Sequence, residues 1–510
     1  MPGRNKYDGP PRPTNRERVN SLSATGFASA FRVRSSWGST GKASGTRSYY
    51  INKALALLIV ALPTMDAFQE VALASEPATS AEQSALAIDS ASGLLAARQP
   101  HNFLGARSCA ASACHGGIDP DPRFPLSRRN EYVTWLDKDP HSRSYQTLNN
   151  ELSNAILDRL SRPTDDDATR ANRLANCFGC HNPQPEPSRR GETYFTRDSV
   201  SCEICHGPAE QWIGPHVTAS WSQLKESGEA AKLGFVNTLE IATRAETCAA
   251  CHVGSPGREV NHDLIAAGHP ALKFELTAYY AMLPKHWRDE DERKANPQLE
   301  LALWQAGQLA CGEAAVELLK WRADRAAGEN VDAIWPEFAE YDCYACHHDL
   351  VHPSWRQASA TSSAPLGMPA WGSWYFSRLS ESSSESLHSL ADAMQRSFRP
   401  DPKLVLDAAK SVRLTAPSIN GAIGDPTSWD DATQQYLALV ATEQSLTDAG
   451  IAGPTEVKST ITRLREQLAF PAGHDSPKRL FESGNANVTR AQVHQSLLEL
   501  MQQLQQRRGN

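Results

Sequence analysis

Apolar positions recur with a helical period in two long stretches of this 510-residue chain. In the first, Asn296 and Pro297 make a cap and a first helical position, and Gly328 makes a stop, which predicts a helix through about Ala327. Trp304, Cys311, Ala315 and Leu318 fall at i, i+7, i+11 and i+14 and form one apolar stripe. Cys311 on that stripe reads as a buried structural thiol. In the second, after Asn487, Val493, Leu497, Leu500, Met501 and Leu504 repeat the helical spacing, and Arg507, Arg508 and Gly509 suit a helix C-terminus. Strand-like alternation is scarce. The fold expected is mainly α, with short helices and loops over residues 101–352 and a helical region over 374–510.

The remaining pattern is irregular. A basic, Ser/Gly-rich lead runs to Lys53 and meets "ALALLIVAL" (Ala54 to Leu62), with small residues at Ala72-Leu73-Ala74. Nine apolar residues are too few for a bilayer, which needs about 20. Residues 1–74 therefore read as a signal peptide for export of an unfolded chain, since no Arg-Arg pair precedes the apolar run. The lead is long for such a peptide, which points to a true start downstream of Met1. Residues 75–100 are small, polar and aperiodic and read as a flexible linker. A second joint over 353–373 separates the middle of the chain from a cysteine-free tail, 374–510, expected to form a helical cover or bundle.

Charge narrows the partners. The chain carries −7 in all, but the first 74 residues hold ten basic and four acidic side chains, leaving the rest near −13. Nucleic-acid binders show the opposite bias. A basic docking partner is the expectation.

Cysteine spacing then supplies the chemistry. Four stretches read CxxCH: Cys177/Cys180/His181, Cys202/Cys205/His206, Cys248/Cys251/His252 and Cys343/Cys346/His347. With 16 histidines in 510 residues, a chance histidine after one CxxC has a probability of about 3%, and four of four is of order one in a million. The spacing suits covalent haem, where two thiols add to the porphyrin vinyl groups and the adjacent imidazole reaches the iron. A fifth stretch, "SCAASACHGG", holds Cys109, Cys114 and His115 with four residues between the thiols. Its small Ala and Ser residues allow the longer loop to bulge, and it reads as a fifth site. Zinc knuckles would not require histidine after every second cysteine, and CxxC disulfides would be strained. The cofactor expected is five covalently attached haem c groups over 101–352.

Second ligands come from the other histidines of that segment: His101, His141, His216, His262, His269, His286, His348 and His352. His141 follows a proline; His216 and His269 are flanked by Gly or Pro, which fix the backbone. His262 precedes His269 by seven residues, far enough for the two to reach different irons, and His348 follows a motif histidine, so its ring must point away from that iron and could serve a neighbour. These five are the distal candidates; His101, His286 and His352 rank below them.

The order of a first CxxCH-type site, "DPHSRSY", "CFGCH", "VSCEICHGPAEQWIGPH" and "CAACH" over about Cys109 to His252 resembles the tetrahaem cytochrome c-554 family. That family passes on electrons from hydroxylamine oxidation. The resemblance implies that His141 ligates the third haem, of His206, and His216 the fourth, of His252. The family's second haem lacks a distal ligand, so whether the haem of His181 is open, or closed by His262 or His269, stays undecided here. The first spacing, the fifth site and the tail depart from the family pattern.

Three readings of function follow. The first is an exported pentahaem c-type cytochrome that transfers electrons through bis-histidine haems, between a membrane-side donor and a periplasmic acceptor, with no catalytic residue. The alternative is a multihaem oxidoreductase acting on a small nitrogen or sulfur species at one open iron. No lysine replaces a motif histidine, and Tyr341 and Tyr344 beside the fifth site read as ring-packing groups. A docking subunit working through the acidic tail is the third and weakest reading.

Overall fold

In a computed structural model, the protein is described over residues 94–509, apart from 125–126, 163, 329–332, 348–367, 419–422, 452 and 470–489. The expected signal peptide and most of both linkers lie outside the described residues. What is described is helical, with isolated β-bridges and no strand among the described residues.

Helices are numbered here in chain order: α1 (Glu131–Lys138), α2 (Glu151–Leu160), α3 (Asp167–His181), α4 (Cys202–His206), α5 (Ile241–His252), α6 (His262–Ala267), α7 (Leu276–Met282), α8 (Asp289–Ala295) and α9 (Leu299–Ala327). Then follow α10 (Cys343–Cys346), α11 (Glu381–Gln395), α12 (Pro402–Ser411), α13 (Trp429–Asp448), α14 (Glu456–Leu468) and α15 (Arg490–Gly509).

The long helix α9, of 29 residues, runs about 43 Å at 1.5 Å per residue. It begins two residues later than the cap pattern implies. Asn296 forms a turn ahead of the helix: its side chain accepts from Gln298 N at 3.1 Å and its carbonyl from Leu299 N at 3.0 Å. Helix α9 is buried on more than one side. Leu299, Leu303, Ala310 and Cys311 pack on α5 and α7 through Ala245, Ala249, Leu276 and Tyr280. Val316, Leu319 and Ala323 pack on α11 and α12 through Leu390, Met394 and Val405. Trp304, fully buried, meets Ala438 and Ala441 of α13. Cys311 is buried, as the stripe implied.

The tail is built on α13, α14 and α15. Ser428 caps α13 by accepting from Asp431 N at 3.1 Å, and Asp430 and Asp431 sit favourably in its first turn. Leu437, Ile461, Leu464, Val493, Leu497, Leu500 and Leu504 share one core. The α15 residues among them are the stripe legible in the sequence.

Candidate functional site

Helix geometry explains the regular motifs. Residues three apart lie on one helix face, so each CxxC pair presents both thiols to one side. Cys177–His181 end α3, Cys248–His252 end α5, Cys202–His206 are the whole of α4, and Cys343–Cys346 are α10, with His347 next. Cys109–His115 instead follow a 3₁₀ turn, Ala106–Cys109, and close a tight loop in which Cys114 N and Gly116 N both donate to Ala111 O, at 2.8 and 3.0 Å. A Cβ on Gly116 would sit 1.9 Å from Ala110 O, so the extra residues of this loop require glycine after the histidine.

All eleven cysteines are free. Among the described residues no group of three or more His, Cys, Asp or Glu converges as a metal-ion site.

Each of the five motif histidines faces a second histidine. Ring centres are 6.2 Å apart for His115 and His216, 6.4 Å for His181 and His269, 6.2 Å for His206 and His286, 6.1 Å for His252 and His141, and 6.2 Å for His347 and His262. One iron held between two imidazoles requires nearly this spacing: metal–nitrogen bonds of about 2 Å, plus about 1.2 Å from each nitrogen to its ring centre, give about 6.4 Å.

The ring nitrogens agree. His115, His141, His181, His206, His216 and His269 all make their polar contacts through Nδ1, which leaves Nε2 for a metal. His101 differs: its Nε2 bonds to Lys232 O at 2.9 Å and its ring faces no motif histidine. Burial first, then neighbouring histidines, pushes His206 down to about 4 and His252 to about 3, so both are neutral at pH 7, the form that ligates.

Two carboxylates near these rings are held ionised. Burial works against Glu131, but its bonds with His115 and Ser127 hold it down at about 2. Asp139, likewise buried, is held below the ordinary carboxylate range by His141. Glu203, inside the third motif, accepts from Leu104 N, Gly105 N and Ala209 N at 2.9, 2.6 and 2.7 Å; burial still pushes it up. It ties α4 to the segment leading into the first motif.

These placements alter the pairing that the family resemblance implied. His141 faces His252, not His206, and His216 faces His115, not His252. Glu210 explains the second. It accepts from Asn102 N at 3.0 Å and Asn102 Nδ2 at 2.7 Å, drawing the loop that carries His216 back toward the first motif. His286, ranked low in the sequence, faces His206; Trp287 beside it and Pro284 two residues before were the signals available. His262 and His269 face His347 and His181 respectively. His348 and His352 lie outside the described residues. Tyr341 is buried and donates to Met394 O at 3.1 Å, a packing role.

Contacts between motifs give them an order in space. Cys109 and Cys202 are electrostatic neighbours, which lowers the first thiol's pKa and raises the second's; Cys180 and Cys251 form a like pair, with Cys180 raised and Cys251 lowered. Cys205 is an electrostatic neighbour of Cys248 and Cys251. The first motif thus adjoins the third, the third the fourth, and the fourth the second. Helix α6 then links the second motif to the fifth, since it starts with His262 and His269 follows its C-cap, Gly268.

No curated protein and no solved structure gives a match to this chain. Residues 108–207, which hold the first three motifs and His141, match the family model described as cytochrome c554 and c-prime, and over this stretch the chain is similar to an electron-transfer cytochrome of the c type with covalently bound haem.

Proposed function

We propose that the chain is an exported pentahaem c-type cytochrome that carries electrons through five bis-histidine centres. The observation that carries this reading is the set of five facing histidine pairs at 6.1–6.4 Å. Haem supplies the one-electron chemistry when bound. The chain's own residues do the rest. Cys109/Cys114, Cys177/Cys180, Cys202/Cys205, Cys248/Cys251 and Cys343/Cys346 hold the rings covalently. His115, His181, His206, His252 and His347 are the proximal ligands, and His216, His269, His286, His141 and His262 the distal ones.

Two imidazoles per iron leave no position for a substrate, which favours a carrier over the oxidoreductase. Packing supports the same role. Phe274 stacks on His252 at 5.0 Å and Phe235 on His206 at 6.5 Å, keeping both rings in place and water out. The spatial order of motifs, first–third–fourth–second–fifth, defines a path with two ends. Those ends are the open ones: Cys114, Cys343, Cys346 and His347 are exposed, whereas no other motif cysteine or histidine is. A membrane-side donor and a periplasmic acceptor would meet the path there. Export rests on the apolar stretch Ala54–Leu62; among the described residues no helix is long and apolar enough to cross a membrane.

Low-temperature EPR of the oxidised, haem-loaded protein, with intact-mass counting, tests the reading. Five attached haems with only low-spin ferric signals, unchanged by cyanide or nitrite, is the expected result. A high-spin signal that shifts with added ligand would overturn the carrier in favour of the oxidoreductase.

A further inference from the structure

The facing pairs are alike in spacing but not in what holds their outer nitrogens. With Nε2 committed to a metal, Nδ1 carries the proton and donates. His115 Nδ1 donates to Glu131 Oε2 at 2.9 Å, and His141 Nδ1 to Asp139 Oδ1 at 2.9 Å. The hydrogen-bond partners of His181, His269 and His216 are neutral. His181 meets Thr147 Oγ1 at 3.1 Å and Ser144 O at 3.3 Å, His269 meets Pro270 O at 2.8 Å, and His216 meets Ile213 O at 2.5 Å. The His206/His286 pair has no carboxylate partner. His206 reaches only Thr238 Oγ1 at 3.5 Å, and His286 Nδ1 is buried without a partner.

Both carboxylates are built in. Glu131 opens α1, with its side chain 17% exposed, and its other oxygen accepts from Ser127 Oγ at 2.8 Å and Arg128 N at 2.5 Å. The Asp139 side chain, 6% exposed, also accepts from His141 N at 3.0 Å, which caps the turn that presents the ring.

A carboxylate draws the Nδ1 proton toward itself and makes the ring a more basic ligand. Its negative charge, held in a partly dry site, adds to this. Both effects favour the ferric over the ferrous iron and so lower the potential.

Resting on the haem reading above, we propose that Glu131 and Asp139 are positioning residues that set two centres, His115/His216 and His141/His252, at the low end of the protein's potentials, with His206/His286 between them at a higher potential. The third motif adjoins both the first and the fourth. An electron arriving at the first centre therefore runs downhill to the third, and onward transfer to the fourth is the uphill step.

The test is a spectroelectrochemical titration of the haem-loaded full chain, as wild type, E131Q, D139N and T147V, with haem content of each counted by intact mass. Each amide side chain keeps an oxygen to accept the local backbone bonds, so the fold has two independent chances to survive. With five haems retained, E131Q and D139N should each move one wave upward by at least tenfold in its reduction equilibrium, 59 mV for one electron. The other four should move less, including the His206/His286 wave, whose distal ring lies within electrostatic reach of both carboxylates, and T147V, which removes a neutral partner, should shift less than either. Full loading with unmoved waves, or a T147V shift as large as that of E131Q, would overturn the proposal while leaving the haem reading intact. Fewer than five haems in the wild type would instead mark failure of the haem reading itself.

Discussion

Glu292→Leu tests whether the site is held from outside its motifs. Glu292 of α8 accepts from Arg244 Nη2 at 2.7 Å on one oxygen, and from Trp287 Nε1 at 2.9 Å and Tyr280 Oη at 3.3 Å on the other. It thereby ties α5, which ends in the fourth motif, to the loop that presents His286. The Arg244 and Glu292 side chains are only 10% and 16% exposed. Removing one member of a buried pair costs about 3–5 kcal/mol. The lower end applies here, because Arg244 keeps Thr238 O at 2.8 Å and lies over the Tyr280 and Trp287 rings at 5.4 and 5.6 Å. Leaving the indole N–H unpaired adds about 1 kcal/mol, while Tyr280 still reaches Asp289 at 2.7 Å. The expected loss is about 4 kcal/mol, measured by urea unfolding followed by far-ultraviolet circular dichroism. Glu292→Gln, which keeps an acceptor for Trp287, should lose about half of that, and Arg244→Met with Glu292→Leu should recover part of it. Because His286 moves with Trp287, a high-spin ferric signal should also appear in the leucine variant. Stability within about 1 kcal/mol of wild type together with unchanged EPR would refute the reasoning.

Other outcomes follow from the same geometry. Cys109→Ala with Cys114→Ala should remove one haem from the intact mass and leave four, and an unchanged count would show that the longer loop holds none. His286→Ala should open one iron to cyanide, visible as a high-spin signal lost on titration, whereas His101→Ala should change nothing in the EPR. Arg293 joins Asp289, Glu300 and Asp448 at 3.1, 2.9 and 2.8 Å, so Arg293→Met should cost about 3 kcal/mol at neutral pH in urea unfolding. Burial already raises the Glu300 carboxyl above its unfolded value, so its ionised form is what the fold penalises; the deficit should be full at neutral pH and shrink as pH falls toward the ordinary carboxylate range.

What the sequence disclosed and what it withheld divide along a physical line. Cysteine spacing is a local property, set by which residues share a helix face, so the four regular motifs are readable without the fold. The stripe in α15 is local in the same sense. Helix α13 is not: Thr433, Gln434, Gln435 and Gln444 give it a polar look, yet all are buried. Gln434 finds its partners far away, with Gln308 Nε2 donating to Gln434 Oε1 at 3.0 Å and Gln434 Nε2 to Trp374 O at 3.2 Å. No periodicity rule contains those bonds.

Pairing the second histidines meets the same barrier more sharply. His216 faces a motif 101 residues earlier because Asn102 and Glu210 join the two segments, and neither residue is near a cysteine motif in a way that spacing could flag. His286 ranked low in the sequence, where neither glycine nor proline adjoins it. Its loop is anchored instead by arginines: Arg128 donates to Lys285 O at 3.0 Å, and Arg288 to Phe124 O at 2.9 Å. Both anchors reach the segment around α1, which also supplies Glu131. The groups that place the third centre's distal ring and the carboxylate on the first centre's proximal ring thus come from one short stretch, 121–131. A change there should disturb two centres at once, although no cysteine or ligand histidine lies within it.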